Sequence, residues 1–425
     1  GVTVDWTTLG GYFQKLERRR MSTNIASYVG EEQVWTHVKG YSQSPATAEE
    51  LAAMKQLIAQ AMAEGAMGLS TALLQPPSSI ATTANLIELA AVAKQYGGIY
   101  STHIRDEGEG VFRALDEAIQ VGKGAEIPVD IIHMKIAHKQ LWGRANEIIA
   151  MVRKARDAGY DIRANVYPYT AGQNNLSSIV PPWAHDGGRD KMLARLKDPA
   201  ARTRLREEVM NGLPNWYNHY LATGDGWGGM ILVSLRHERT TRFQGKRMSE
   251  LIAARGGHPA DVLFDVLIEE AGSVPTVFFH HSEADMQLIM QQPWTSIGSD
   301  GSAVNPDGPT GRSHPHPRYY GTFPRVLGRY VRELKTVTLP DAVAKMTSMN
   351  ADKIGIRDRG RLREGLFADV TVFDQDRVID RATFEHPHQF PVGIEYVIVN
   401  GEVTIDKGQH TGALAGKVIY GPGKR

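Results

Sequence analysis

Short runs of β-branched and aromatic residues alternate along the chain with longer stretches of helical periodicity. The expected strands are "NIASYVG" (Asn24–Gly30), "AMGLST" (Ala66–Thr71), "GIYSTHI" (Gly98–Ile104), "PVDIIHM" (Pro128–Met134), "DIRANVYPY" (Asp161–Tyr169), "TVFFHH" (Thr276–His281) and "WTSIGSD" (Trp294–Asp300). Between them, "ATAEELAAMKQLIAQAMAEG" and "GRANEIIAMVRKARDAG" read as amphipathic helices, each closing on a glycine suited to a left-handed C-cap. This alternation predicts an α/β fold with a parallel sheet covered by helices. A (β/α)8 barrel of the TIM type fits better than a Rossmann sheet, because no glycine-rich phosphate turn follows a strand and polar residues recur at strand ends. A barrel wants eight strands, and only six or seven stand out here.

The rhythm breaks twice. Residues 183–257 carry charged helical segments ("DKMLARLKDPAARTRLREEVM") and a Gly/Trp-rich stretch ("GDGWGGM"), which predicts an insertion between late barrel strands, placed over the active-site mouth. Beyond Gly360, "FADVTVFD" and "IEYVIVNGEVTID" alternate strictly, with an Asn-Gly hairpin turn at Asn400 and Gly401. The expected layout is a barrel over 1–358 and a small β-sandwich portion over 359–425.

Composition narrows the chemistry. With 425 residues, 48 basic and 47 acidic side chains, the chain has no net field to draw nucleic acid or an anionic membrane. It contains no cysteine, so disulfides, thiolate zinc sites and cysteine nucleophiles are excluded within it. No apolar run approaches the roughly 20 residues that span a bilayer. The opening "GVTVDWTTLGGYF" lacks a signal-peptide pattern and an initiator Met, so a preceding segment is expected, and the compartment, cytoplasmic or periplasmic in a bacterium, stays open.

Three strand ends offer metal ligands: His103 in "YSTHIRDE", His133 in "IIHMK" and Asp300 in "IGSDGS". In a barrel such side chains converge, and two imidazoles with a carboxylate suit zinc. Taken singly, each has an ordinary explanation: a histidine ending a strand is commonly a hydrogen-bonded structural residue, and Ser-Asp-Gly is common turn chemistry. Lys135 has the parity of His133, against the alternative of a surface lysine. Tyr167 and Tyr169 share a parity at the mouth, against simple packing. Arg318 in "HPHPRYYG" is a possible carboxylate fork or an exposed loop arginine. His280 and His281 end a strand, or precede a helix capped by Ser282.

Taken in order, "GGIYSTHIRDEG", "IIHMK", "YPYTAG", "IGSDG", "HPRYYGTFPRVLGRYVRE", "AVAKMTSMNADKIGIRDRGRLREGLFADVTVFD" and "DRATFEHPHQF" resemble the D-aminoacylase (N-acyl-D-amino-acid deacylase) group of the amidohydrolase superfamily, over essentially the whole chain. The resemblance implies a metal-dependent barrel with a small β-sandwich, zinc as cofactor (one or two divalent ions), and hydrolysis of N-acyl-D-amino acids or related small amides and dipeptides. It implies His103 and His133 as metal ligands from the fifth and sixth strands. Asp300, on the eighth, would move the proton and touch metal, and Lys135, Tyr167 and Arg318 would bind the substrate's carboxylate or scissile carbonyl. Arg105 and Glu107 become candidates for orienting the site, although a solvated turn explains them too.

The departures are as specific. The family's first strand carries a His-x-His pair and its second a cysteine ligand; no His-x-His precedes Trp6 and the chain has no cysteine, in line with the strand shortfall. Three explanations stay open: a retained part of a longer protein, a separate polypeptide supplying the N-terminal portion, or a degenerate, non-catalytic relative kept as a binding or assembly subunit; as partners, a separate N-terminal polypeptide or a homo-oligomer both stay open. "LSTALLQPPSS" also departs from the family's Tyr-x-Pro-Gly, which bears on specificity. A related amidohydrolase opening a cyclic amide is the nearest enzymatic alternative.

Overall fold

In the computed structural model, residues 4–425 are described. The parallel sheet forms first along the chain: β1 (Val29–Gly30), β2 (Gly68–Ala72), β3 (Ile99–His103), β4 (Val129–Ile131) and β5 (Ile162–Val166) each pair in parallel with the next. The chain then leaves for an antiparallel sheet of β6 (Gly172–Asn175), β7 (Met230–Leu232) and β8 (Pro275–Phe278), ordered β6-β8-β7. It returns as β9 (Thr295–Ile297), parallel to β5. Six strands thus make the barrel-type sheet, and β1 and β9 are its edges among the described residues.

The expected barrel strand Thr276–His281 is therefore placed differently, as the middle of the antiparallel sheet between β6 and β7. An apolar run serves either setting, so its local pattern does not reveal which partner it will take. The strand read at Asn24–Gly30 shortens to two residues because Ile25 bridges Val418 instead.

Helices between the strands follow from local chemistry. Thr47 and Glu50 form a capping box at the start of Ala48–Ala63, and the turn beyond passes through Gly65 at φ +112°. The helix Ala145–Asp157 is likewise followed by Gly159 at φ +91°. The charged stretch after Gly188 makes two helices, Arg189–Lys197 and Pro199–Asn211, because Pro199 cannot continue the first and starts the second, capped by Asp198.

Two main cores result. One lies between the parallel sheet and its helices, around Trp35, Tyr100, Ile131, Ile162 and Tyr330. The other runs from Leu176 to Phe278 and holds the inserted helices and the antiparallel sheet together; it contains the stretch 183–257 and extends past both its ends. The C-terminal part supplies a four-stranded antiparallel sheet of β10 (Val370–Phe373), β11 (Ile394–Val399), β12 (Glu402–Asp406) and β13 (Gln409–His410). Its turn at Asn400 and Gly401 has φ of +49° and +87°, as a two-residue hairpin requires. No described helix is long and apolar enough to cross a membrane.

Candidate active site

β3 and β4 end side by side, so the side chains just beyond them share one patch at the C-terminal edge of the sheet. The rings of His103 and His133 meet edge to face, 4.5 Å apart. Between them comes Glu107, delivered by the bend after β3 rather than by a strand. One ligand atom from each of the three lies within 4.8 Å of the others. Glu107 Oε1 is 3.1 Å from His133 Nδ1 and 3.8 Å from His103 Nε2.

The electrostatics of this trio suit a cation. Burial pushes the His103 imidazole down to about 4, so it is neutral and offers a lone pair. Its Nε2 is a buried atom without a hydrogen-bond partner. Burial would raise the Glu107 carboxyl, but Lys135 and then the two imidazoles more than offset that and hold it well below the usual carboxylate range. A neutral imidazole, a second imidazole and an ionised carboxylate are a donor set that fits a borderline divalent metal.

Lys135 is buried and turned inward. Its Nζ lies 2.5 Å from Glu107 Oε1, 2.7 Å from His133 Nδ1 and 2.9 Å from His133 O. The ammonium thus sits against the same acceptors a metal would use.

A second group stands beside the first. Asp300 follows β9 with φ +48°, and its Oδ2 is 2.9 Å from Arg318 Nη1. His133 is also left-handed, at φ +41°, a conformation that costs a non-glycine residue energy and recurs where function fixes the backbone. Arg318 begins the helix Arg318–Arg325 and is buried, with its guanidinium 4.8 Å from the centre of the Tyr167 ring. His316 steadies it: its Nδ1 accepts from Arg318 N and its Nε2 lies 2.9 Å from Ala171 O. The buried Nε of Arg318 has no hydrogen-bond partner, as expected of a fork left open for an anion. Burial raises the Tyr167 phenol well above its ordinary value, so it remains an O–H donor.

Tyr169, of the same parity as Tyr167, instead packs under Arg325 and against His316 and Phe384. His280 and His281 are buried behind Tyr167, and Ser282 does cap the following helix, Glu283–Met290. Their approach depends on Gly172: a Cβ there would lie 3.0 Å from His280 Nε2, 3.3 Å from Tyr167 Oη and 3.5 Å from His281 Nε2. The residues named from sequence therefore gather as two neighbouring sets: His103, His133 and Lys135, and Asp300, Arg318 and Tyr167. Glu107 joins the first set as a member of the cluster, which sequence had placed only as an orienting group. Its signal was the spacing of four from His103, a weak one because the connecting segment is not helical.

Comparison with known proteins places these features. The chain is 35% identical over 419 residues to a D-aminoacylase of Alcaligenes xylosoxydans xylosoxydans, covering 99% of this chain and 75% of that protein. Its structure superimposes with a TM-score of 0.81, at 28% identity, on N-acyl-D-glutamate deacylase from Bordetella bronchiseptica, which was crystallised with zinc and a phosphonate mimic of the tetrahedral intermediate; the match covers 99% and 76% of the two chains. A D-aminoacylase structure described by its binuclear metal centre matches with a TM-score of 0.78 at 32% identity, over 97% and 75%. The family model described as "Amidohydrolase family" matches residues 36–405, and with a barrel-type sheet carrying its polar cluster at the strand ends, the chain belongs to the amidohydrolase family.

Proposed function

We propose that this chain hydrolyses the amide bond of N-acyl amino acids of D configuration, with zinc held by His103 and His133 and with Glu107 as a further ligand. The observation that carries it is the His103–Glu107–His133 trio within 4.8 Å, with Glu107 and His133 buried and His103 half-buried, set beside the fork of Arg318 whose Nε has no partner. When bound, the metal supplies Lewis acidity at the scissile carbonyl and eases ionisation of water. Arg318 binds the substrate's carboxylate through its free donors. Tyr167, kept protonated by burial, donates its O–H to the oxygen on which negative charge develops. Asp300, held by Arg318, takes the proton from the attacking water and passes it to the leaving amine. Lys135 must leave one of its present acceptors to reach a substrate, so its binding role requires that the ammonium turn outward.

The test combines metal analysis of the purified protein with hydrolysis of N-acetyl-D- and N-acetyl-L-amino acids before and after chelation. His133→Ala should lose metal and turnover together, while Asp300→Asn should keep most of the metal and lose turnover. Hydrolysis that survives metal removal would overturn the proposal, and faster opening of a cyclic amide than of any N-acyl amino acid would replace the substrate class.

A further inference from the structure

Below the site, four adjacent strands of the parallel sheet contribute polar residues to the interior, where apolar packing would be the default. They are Ser101 on β3, Asp130 on β4, Asn165 on β5 and Ser296 on β9. Lys353, from the helix Ser348–Lys353, closes the group: its Nζ is 3.0 Å from Asp130 Oδ2 and 3.1 Å from Ser296 Oγ. Asp130 and Lys353 are both buried, so the pair is costly to desolvate and adds little net stability. Its use must be sought in what it holds.

It holds Asn165. The Asn165 Nδ2 donates to Asp130 Oδ2 at 3.0 Å, while its Oδ1 accepts from the backbone N–H of His133 at 2.9 Å. The backbone carbonyl of the same residue accepts from Met134 N at 2.8 Å. Asn165 thus engages both N–H groups of the turn in which His133 takes its left-handed conformation. A backbone N–H can only donate and a carboxylate only accept, so the bridging side chain must offer an acceptor on one end and a donor on the other. An amide does this. Aspartate would set two carboxylates together, and leucine would leave both partners unpaired.

We infer that Asn165 and Asp130, anchored by Lys353, are positioning residues that fix the backbone of His133 and so aim its imidazole at the metal cluster. This rests on the metal role proposed for His133, and the positioning of the turn can be read without it. Polar groups behind metal ligands typically contribute 10–100-fold to metal affinity.

The experiment measures, on the full chain, zinc affinity by competition with a chromophoric chelator and hydrogen exchange of the peptide spanning 132–136. Asn165→Leu should weaken zinc binding by about 10–100-fold and raise exchange at His133 and Met134. Lys353→Met, which leaves Asp130 buried without its partner, should move both readouts the same way. The double variant Asp130→Asn with Lys353→Met removes both charges, keeps an acceptor for the Asn165 amide, and should return both readouts toward wild type. If Asn165→Leu does not fold, this double variant still decides: failure to recover exchange protection relative to Lys353→Met overturns the inference. Unchanged exchange and zinc affinity in a folded Asn165→Leu overturn it too. Wild-type protein that binds no zinc defeats the proposed metal role instead, while exchange at 132–136 still decides whether Asn165 holds the turn.

Discussion

Replacing Glu107 by glutamine tests whether the centre of the site is as dry as its geometry implies. The substitution keeps the shape of the side chain and removes the carboxylate that pairs directly with Lys135 Nζ. Side-chain exposures of 5% and 9% leave little room for solvent to screen the loss. Stranding a buried charge in this way costs about 3–5 kcal/mol, against about 0–1 kcal/mol for an exposed pair. At roughly 2.1 cal/mol/K of unfolding entropy per residue, a chain of 425 residues converts that into a fall in Tm of roughly 3–6 °C. The assay is thermal unfolding at pH 7 in the presence of a chelator, so that metal binding does not contribute. The pH is chosen by sign: the folded carboxyl is held below its unfolded value, so its contribution is complete above the ordinary carboxylate range and fades only as pH falls through the folded pKa. Glu107→Gln combined with Lys135→Met removes both charges and should recover most of the loss. A shift of about 1 °C or less for Glu107→Gln alone, the size expected of an exposed pair, would refute the dry-centre reasoning.

Three further outcomes are expected. Arg318→Ala should raise KM for substrates with a free carboxylate by roughly 10- to 150-fold, the worth of a charged hydrogen bond, and an unchanged KM in steady-state assays would remove Arg318 from substrate binding. Gly172→Ala places a Cβ 3.0 Å from His280 Nε2 and 3.3 Å from Tyr167 Oη, so kcat/KM should drop about tenfold or more as Tyr167 is displaced; kinetics equal to wild type would show that the rings can give way. Glu31 is buried, and burial raises its carboxyl to about 7, so the folded state holds a proton that the unfolded chain has released. Its stabilisation is present below the ordinary carboxylate pKa and is lost as pH rises through 7; Glu31→Gln should therefore raise Tm at pH 8 more than at pH 5, and equal shifts at both would be inconsistent with that.

The parts of the site carried by strand ends were legible in the chain, because buried parallel strands are rich in β-branched residues and a polar residue at their end stands out. His103, His133 and Asp300 could be picked from those runs, and the helix-closing glycines Gly65 and Gly159 take positive φ as their positions required. What escaped was set by long-range pairing. "TVFFHH" has the composition of a barrel strand, yet β8 pairs antiparallel on both sides, a choice made by β6 and β7. Glu107 looked like one charge in a charged turn, and only the fold around His133 and Lys135 makes it central. Asn165 and Asp130 were invisible for the same reason, since a polar residue inside a strand run reads as a solvent-facing position until the strands on either side are known.

The order in which the strands join the sheet has a consequence for how the protein assembles. Ser101 and Asp130, on neighbouring strands that lead to the His103–Glu107–His133 cluster, are 29 positions apart, whereas Ser296 reaches the carbonyl of Ala164 across 132 positions. Closing the longer loop costs about 1 kcal/mol more in chain entropy, and the core built from Leu176 to Phe278 shortens it by folding on itself. The His103–Glu107–His133 cluster is thus built from segments close in sequence, whereas Asp300 and Arg318 reach it only through pairing across the long segment between β5 and β9. If the proposed roles hold, a lesion in that segment, far from any reacting atom, should spare zinc binding more than turnover, which zinc titration and kinetics of the same variant would separate.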